Sequence, residues 1–209
     1  MGNLGGKCYQ EGLQIRLNSN ANQLDCNRKG CEIMNLEAAI EKAKNVKFVI
    51  LDIHGVLTDN TLYYTEEGTK SECFSLADRL GCRALIAGGI PVAFLTSKIS
   101  RADQAVGVIY GVDADKLWGT SAKIGKLDEF EAESGYQDGD LCYAGDEMID
   151  LGCMKRVGFS VAPGDSSREA LEVADLITKA NGGKGVVREM AEFILKAQGK
   201  WELAINKVA

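Results

Sequence analysis

No apolar run in this 209-residue chain approaches the ~18 residues that a membrane-spanning helix needs, and its N-terminus lacks the apolar stretch of a secretory signal. A soluble, cytoplasmic protein without a membrane partner is therefore expected. Basic blocks are missing too. No Lys/Arg run exceeds a pair, and 24 basic against 30 acidic side chains leave a net charge of −6, which argues against a nucleic-acid partner. Histidine is nearly absent, with His54 alone, and the seven cysteines include no CxxC pair. Their odd number and scattered positions exclude a disulfide framework. Cys26 and Cys31 do not complete a tetrahedral metal site, since the one histidine lies far away in sequence.

Apolar residues make up 45% of the chain, enough at this length for one well-buried core and one domain. Residues 1–33 show no sustained periodicity and read as a flexible extension, with Met34 a candidate natural start. A helix is expected over 35–44, capped by Asn35. Phe48-Val49-Ile50-Leu51 then forms a continuous apolar run ending at Asp52 and Gly55, the pattern of a central parallel strand. Similar runs end at Leu95, at Ala144 and, in a shorter form, at Ala162, with helices expected over 79–87, 100–110, 122–134, 149–156, 166–173 and 185–197. This alternation predicts an α/β, Rossmann-like doubly wound parallel sheet with helices on both faces. The rhythm breaks at 58–74, where Leu62-Tyr63-Tyr64, a Glu-Glu-Gly turn and Ser71 onward predict a small β-hairpin flap. The domain spans 34–200, and 201–209 form a tail.

In such a sheet ligands bind beyond the carboxyl ends of the strands. The residues there are Asp52, then Thr96 and Ser97, then Lys123 at the start of a helix, then Asp146, Glu147 and Asp150. They amount to a phosphoryl-transfer set. A carboxylate attacking a phosphate dianion needs a divalent cation and fixed donors to offset repulsion. Asp52 would be the nucleophile, Asp146 and Asp150 ligands of Mg2+, and Thr96 and Lys123 the cradle for phosphate oxygens. Taken singly, Lys123 reads as a surface lysine, Asp146, Glu147 and Asp150 as helix N-terminal acids, and Trp118 and Trp201 as packing residues.

DIHGVLTD (52–59), Thr96, Lys123 and GDEMID (145–150) resemble the four motifs of the haloacid dehalogenase superfamily in their usual order. A hairpin in place of a cap domain and GGKGVVRE (182–189) are similar to its capless subfamily acting on phosphates of keto-deoxy sugar acids. The resemblance implies a Mg2+-dependent phosphatase with a phospho-aspartyl intermediate on Asp52, a small sugar-phosphate substrate, and a homotetramer whose neighbouring hairpin helps close each site. It further implies metal ligation by Asp52, Asp146, Asp150 and position 54, and substrate contacts from Ser97, Lys98, Asp78, Arg79 and Arg188, with the tail from Lys200 folding over the site.

Two departures stand out. The superfamily pattern is Asp-x-Asp, and His54 occupies the second position, from which an aspartate protonates the leaving group. Side chains two apart share a face of an extended segment, so His54 should point toward the same site, and an imidazole titrates near neutrality. Phe74 to Gly81 reads FSLADRLG where relatives have Arg-Asp-Gly, which leaves Asp78 but displaces the arginine to Arg79. His54 therefore opens a second reading, a weakened or non-catalytic relative serving in assembly or regulation. A phosphoacceptor receiver domain is a third, but receivers carry an acidic pair at the first strand and the acceptor on a later one.

Overall fold

The structure, a computed structural model, describes residues 28–208, with side chains from Leu36 onward. The element order is α1 (Arg28–Asn45), β1 (Phe48–Leu51), β2 (Tyr63–Tyr64), β3 (Lys70–Ser71), α2 (Leu76–Ala87), β4 (Val92–Thr96), α3 (Arg101–Tyr110) and β5 (Leu117–Gly119). It continues with α4 (Lys123–Ser134), β6 (Leu141–Ala144), α5 (Leu151–Arg156), β7 (Phe159–Ala162), α6 (Arg168–Val173), β8 (Leu176–Ile177), α7 (Val186–Ala197) and α8 (Trp201–Val208). Six parallel strands form one sheet in the order β5-β4-β1-β6-β7-β8, while β2 and β3 pair antiparallel as the separate flap.

β1 shows why its sequence is apolar without alternation. Phe48 and Ile50 enter one core cluster with Leu127 of α4, Cys153 of α5 and Ala170 of α6. Val49 and Leu51 enter the other, with Leu85 of α2 and Val187 of α7. Both faces are covered, so every position must be hydrophobic. Each such side chain removed from water contributes ~1.5–3 kcal/mol.

Three expectations need correction. α1 begins at Arg28 rather than near residue 35. Residues 28–34 contain no proline, and only Gly30 opposes the helix there; the remainder of the expected flexible extension, 1–27, lies outside the described residues. β5 and β8, of three and two residues, were invisible as apolar runs because they are so short. The tail is helix α8, and its Lys207 Nζ donates to the Ala87 carbonyl at 3.1 Å, which holds it against the end of α2 rather than across the strand ends.

The strand order sets the site. From β1 the chain moves outward through β4 and β5, then returns to β6 on the opposite side of β1. The β1/β6 gap is therefore the switch point where a crevice opens beyond the carboxyl ends.

Candidate active site

Asp52 leaves β1 at this switch point, and its backbone N–H donates to the Ala144 carbonyl at the end of β6, 2.9 Å away. Beyond it the loop turns through Gly55 at φ 85°, a conformation that side chains disfavour. Space forbids one as well, because a Cβ at Gly55 would lie 1.9 Å from Asp146 Oδ2. The GGKG segment buttresses this loop: a Cβ at Gly182 would lie 2.2 Å from the Gly55 carbonyl oxygen, and Gly183 N–H donates to the Val56 carbonyl.

Lys123 opens α4 with no side-chain cap before it, and its ammonium is buried among acids. Nζ lies 2.9 Å from Asp52 Oδ1 and 2.7 Å from Asp150 Oδ1. Tyr143 completes the knot, its hydroxyl donating to Asp150 Oδ1 at 2.6 Å and accepting from Lys123 Nζ at 3.2 Å. Asp150 Oδ2 accepts the backbone N–H groups of Asp146 and Glu147 at 3.2 and 3.3 Å. Its two oxygens thus receive four hydrogen bonds, filling their lone-pair positions. Asp150 thereby also fixes Lys123 and the 146–147 turn.

One oxygen each from Asp52, Asp146 and Asp150 lie within 4.8 Å of one another. Burial, then the nearby Asp150 charge, pushes the Asp52 carboxyl up to about 6 despite Lys123. Burial, then Asp52 and Asp150, pushes Asp146 up to about 7. Burial pulls the Lys123 ammonium down, but the attraction of Asp52 and Asp150 outweighs it and leaves its pKa raised. Three carboxylates against one ammonium make a pocket short of positive charge, and oxygen donors at this spacing fit a hard divalent cation.

A cleft of about 500 Å³ opens over this cluster, lined by Asp52, His54, Thr96, Ser97, Lys98, Lys123 and Asp146, with Lys70 from the flap. The Thr96 hydroxyl lies 3.4 Å from His54 Nδ1. His54 Nε2 faces Glu72, 2.8 Å from Oε1. Among the described residues the imidazole is therefore grouped with Glu72 and Asp103 and not with the three aspartates, and the metal ligation expected of position 54 rests on its backbone carbonyl rather than on the ring. Glu72 and Tyr143 escaped the sequence reading. Tyr143 carried one signal, as the single ring hydroxyl in the buried strand Leu-Cys-Tyr-Ala.

Three proposed substrate contacts do not reach the cleft. Asp78 is fully buried, and its carboxylate accepts N–H groups of Gly185, Val187 and Arg188 at 3.0, 2.7 and 3.4 Å. It staples α2 to the first turn of α7, whose orphan amides need such a partner. Arg79 is absent from the cleft lining and has a buried Nε without a hydrogen-bond partner among the described residues. Arg188 lies over the Trp201 ring, 4.5 Å from its centroid, and pairs with Glu192 at 2.8 Å.

The profile of the haloacid dehalogenase-like hydrolases matches residues 119–190, from the end of β5 into α7. The 3-deoxy-D-manno-octulosonate 8-phosphate phosphatase of Escherichia coli K12 is 32% identical over 165 residues, 79% of this chain and 87% of that protein. The crystal structure of the Yersinia pestis enzyme of that name superimposes with a TM-score of 0.76 at 33% identity, covering 79% of this chain and 89% of that one. The Moraxella catarrhalis enzyme, crystallised with magnesium, phosphate and KDO, gives a TM-score of 0.77 at 30% identity over 82% of this chain and 98% of that one. With its parallel sheet, flap and four strand-end motifs, this chain belongs to the haloacid dehalogenase-like hydrolases, in the branch of the 3-deoxy-D-manno-octulosonate 8-phosphate phosphatases.

Proposed function

We propose that the chain is a Mg2+-dependent phosphatase of 3-deoxy-D-manno-octulosonate 8-phosphate or a related keto-deoxy sugar acid phosphate, acting through a phospho-aspartyl intermediate on Asp52. The observation that carries this reading is the Asp52–Lys123–Asp150 chain of buried ion pairs beside Asp146, open to a cleft. Four charged groups in one pocket have little structural use without cation and phosphate. Asp52 and Asp146 would ligate Mg2+ directly, and the ion's chemistry there is to neutralise phosphate charge as the nucleophile approaches.

The remaining steps belong to the chain's own side chains. One Asp52 oxygen bonds to phosphorus as the phosphorus–oxygen bond to the sugar breaks, with Thr96, Ser97 and Lys123 holding the transferring group. His54, standing where relatives place their proton donor, gives a proton to the departing alcohol. It then takes one from the water that attacks the phosphorus–Asp52 bond, which regenerates the carboxylate and releases phosphate. The place of His54 on the cleft wall beside Thr96 and Asp52 favours this active reading over a non-catalytic relative, since the ring stands within the site where the proton is needed. The flap exposes Leu62, Tyr63 and Tyr64 at 44, 51 and 64% on and just before its first strand, an apolar edge suited to a neighbouring subunit in the homotetramer we assign.

Phosphate release across a panel of sugar phosphates, with and without Mg2+, tests the reading; no Mg2+-dependent turnover on any of them would sink it. Within it, His54→Ala is expected to lower turnover by ~10²-fold or more, the usual contribution of a general acid and base. His54→Asp should raise turnover above the parent, because it restores the superfamily's donor at that position. If both variants match the parent, His54 moves no proton.

The acid cluster also predicts a pH-dependent response to metal. Asp52 and Asp146 rise from 3.8 to about 6 and about 7 in the fold, so the folded state binds more protons than the unfolded chain between those values. The metal-free protein therefore loses stability as pH rises from about 4 through about 7, and Mg2+ offsets that loss by holding the ionised carboxyls. Mg2+ should raise Tm more at pH 8 than at pH 5, by ~2–4 °C for each kcal/mol of difference. Equal shifts at both pH values would remove the aspartates as ligands.

A further inference from the structure

We propose that His54, Glu72 and Asp103 form a second cation site on the wall of the cleft, selective for a borderline transition ion such as Zn2+. Three separate segments converge there: the loop after β1, the residue following β3, and the first turn of α3. A ring nitrogen of His54 and one carboxylate oxygen from each of the other two lie within 4.8 Å of one another. An ion ~2.1 Å from nitrogen and oxygen donors in tetrahedral geometry holds them ~3.4 Å apart, so modest side-chain rotation closes the set.

The independent observation is Asp103. It is fully buried, and its Oδ2 caps α3 by accepting the Ser100 N–H at 2.7 Å. Its Oδ1 is equally buried and has no hydrogen-bond partner among the described residues. A carboxylate oxygen removed from water without a donor is costly, and a cation is the partner that fits the space. Glu72 repeats the pattern with a side chain 4% exposed. Its Oε1 lies 2.8 Å from His54 Nε2 and 3.1 Å from Lys70 Nζ, yet neither donor is aimed at it in a hydrogen bond. Lys70, 40% exposed and already lining the cleft, is the group that an ion there would displace from Glu72.

The donor set separates this site from the Asp52 cluster. Three carboxylates suit Mg2+, whereas one imidazole with two carboxylates suits Zn2+ or its neighbours in the first transition row. Bound there, the ion would hold the His54 ring away from proton transfer, so occupancy of one site would silence chemistry at the other.

The test is a calorimetric titration of the full chain with ZnCl2 under saturating Mg2+. One class of zinc binding is expected that Glu72→Gln and Asp103→Asn each weaken by ~10-fold or more and Asp146→Asn leaves unchanged. Thiols contribute equally in every variant, so the assigned class is the one that changes. Lys70→Met should tighten it by removing the competing ammonium, an outcome that a purely structural Lys70–Glu72 pair would not give. Asparagine at 103 keeps an acceptor for the Ser100 N–H, and if that variant unfolds, the two flap variants decide. Isotherms of Glu72→Gln and Lys70→Met that superimpose on the parent, or a parent without this class, would overturn the proposal.

Discussion

Asp52→Asn is expected to lower phosphate release by ~10⁴-fold or more while leaving the fold at least as stable as the parent. The loss follows from chemistry, since an amide does not form the phosphoryl ester that the proposed route requires. The stability side follows from the site's electrostatics. Asp52 is 5% exposed and sits beside two further carboxylates, and burial with the Asp150 charge already pushes its carboxyl up to about 6. Asparagine keeps the shape, removes one buried charge, and leaves Lys123 its 2.7 Å contact with Asp150. The parent thus holds a destabilising group in place for its reactivity, the exchange of stability for activity common at working sites. Parallel phosphate assays and thermal melts would check both halves. Turnover within ~10-fold of the parent would remove Asp52 as nucleophile.

How far this was legible in the sequence depends on what each residue does. β1, β4 and β6 announced themselves because strands covered on both faces must be apolar throughout, and their abrupt polar ends located Asp52, Thr96 and Asp146. β5 and β8 did not, since two or three residues carry no period. Lys123 taken singly read as a surface lysine, and only its order after Asp52 and Thr96 singled it out; the structure shows it opening α4, at the end of the macrodipole that disfavours a cation. Asp78 misled for the opposite reason. Its family position is retained, but a carboxylate facing three helix-terminal amides looks in sequence the same as one facing substrate. Asp103 was hidden behind an ordinary role, because Ser100 and Asp103 form a capping box and nothing in sequence says that the second carboxylate oxygen is left over.

Lys123→Met should cost ~3–5 kcal/mol of stability, the penalty for stripping a buried ion pair of one partner. Lys123 is the ammonium that pairs with both Asp52 and Asp150, and its own side chain is only 2% exposed, so no water replaces it. Methionine fills the volume but leaves carboxylates facing one another at the buried floor of the cleft. Asp150 keeps the Tyr143 hydroxyl at 2.6 Å and two backbone amides, which hold its oxygens in place without supplying charge. At ~2–4 °C per kcal/mol this is a fall in Tm of ~6–20 °C. The deficit should be greatest at pH 8 and shrink toward pH 5, where Asp52 and Asp146, raised to about 6 and about 7 in the parent and higher still without the ammonium, take up protons. Excess Mg2+ should recover part of it at pH 8, because a divalent ion between Asp52 and Asp146 replaces the missing positive charge, while phosphate release stays low for want of the group that steadies the transferring phosphoryl. A melting temperature within ~2 °C of the parent at both pH values would mean that the lysine is not the counter-charge on which this acidic pocket depends.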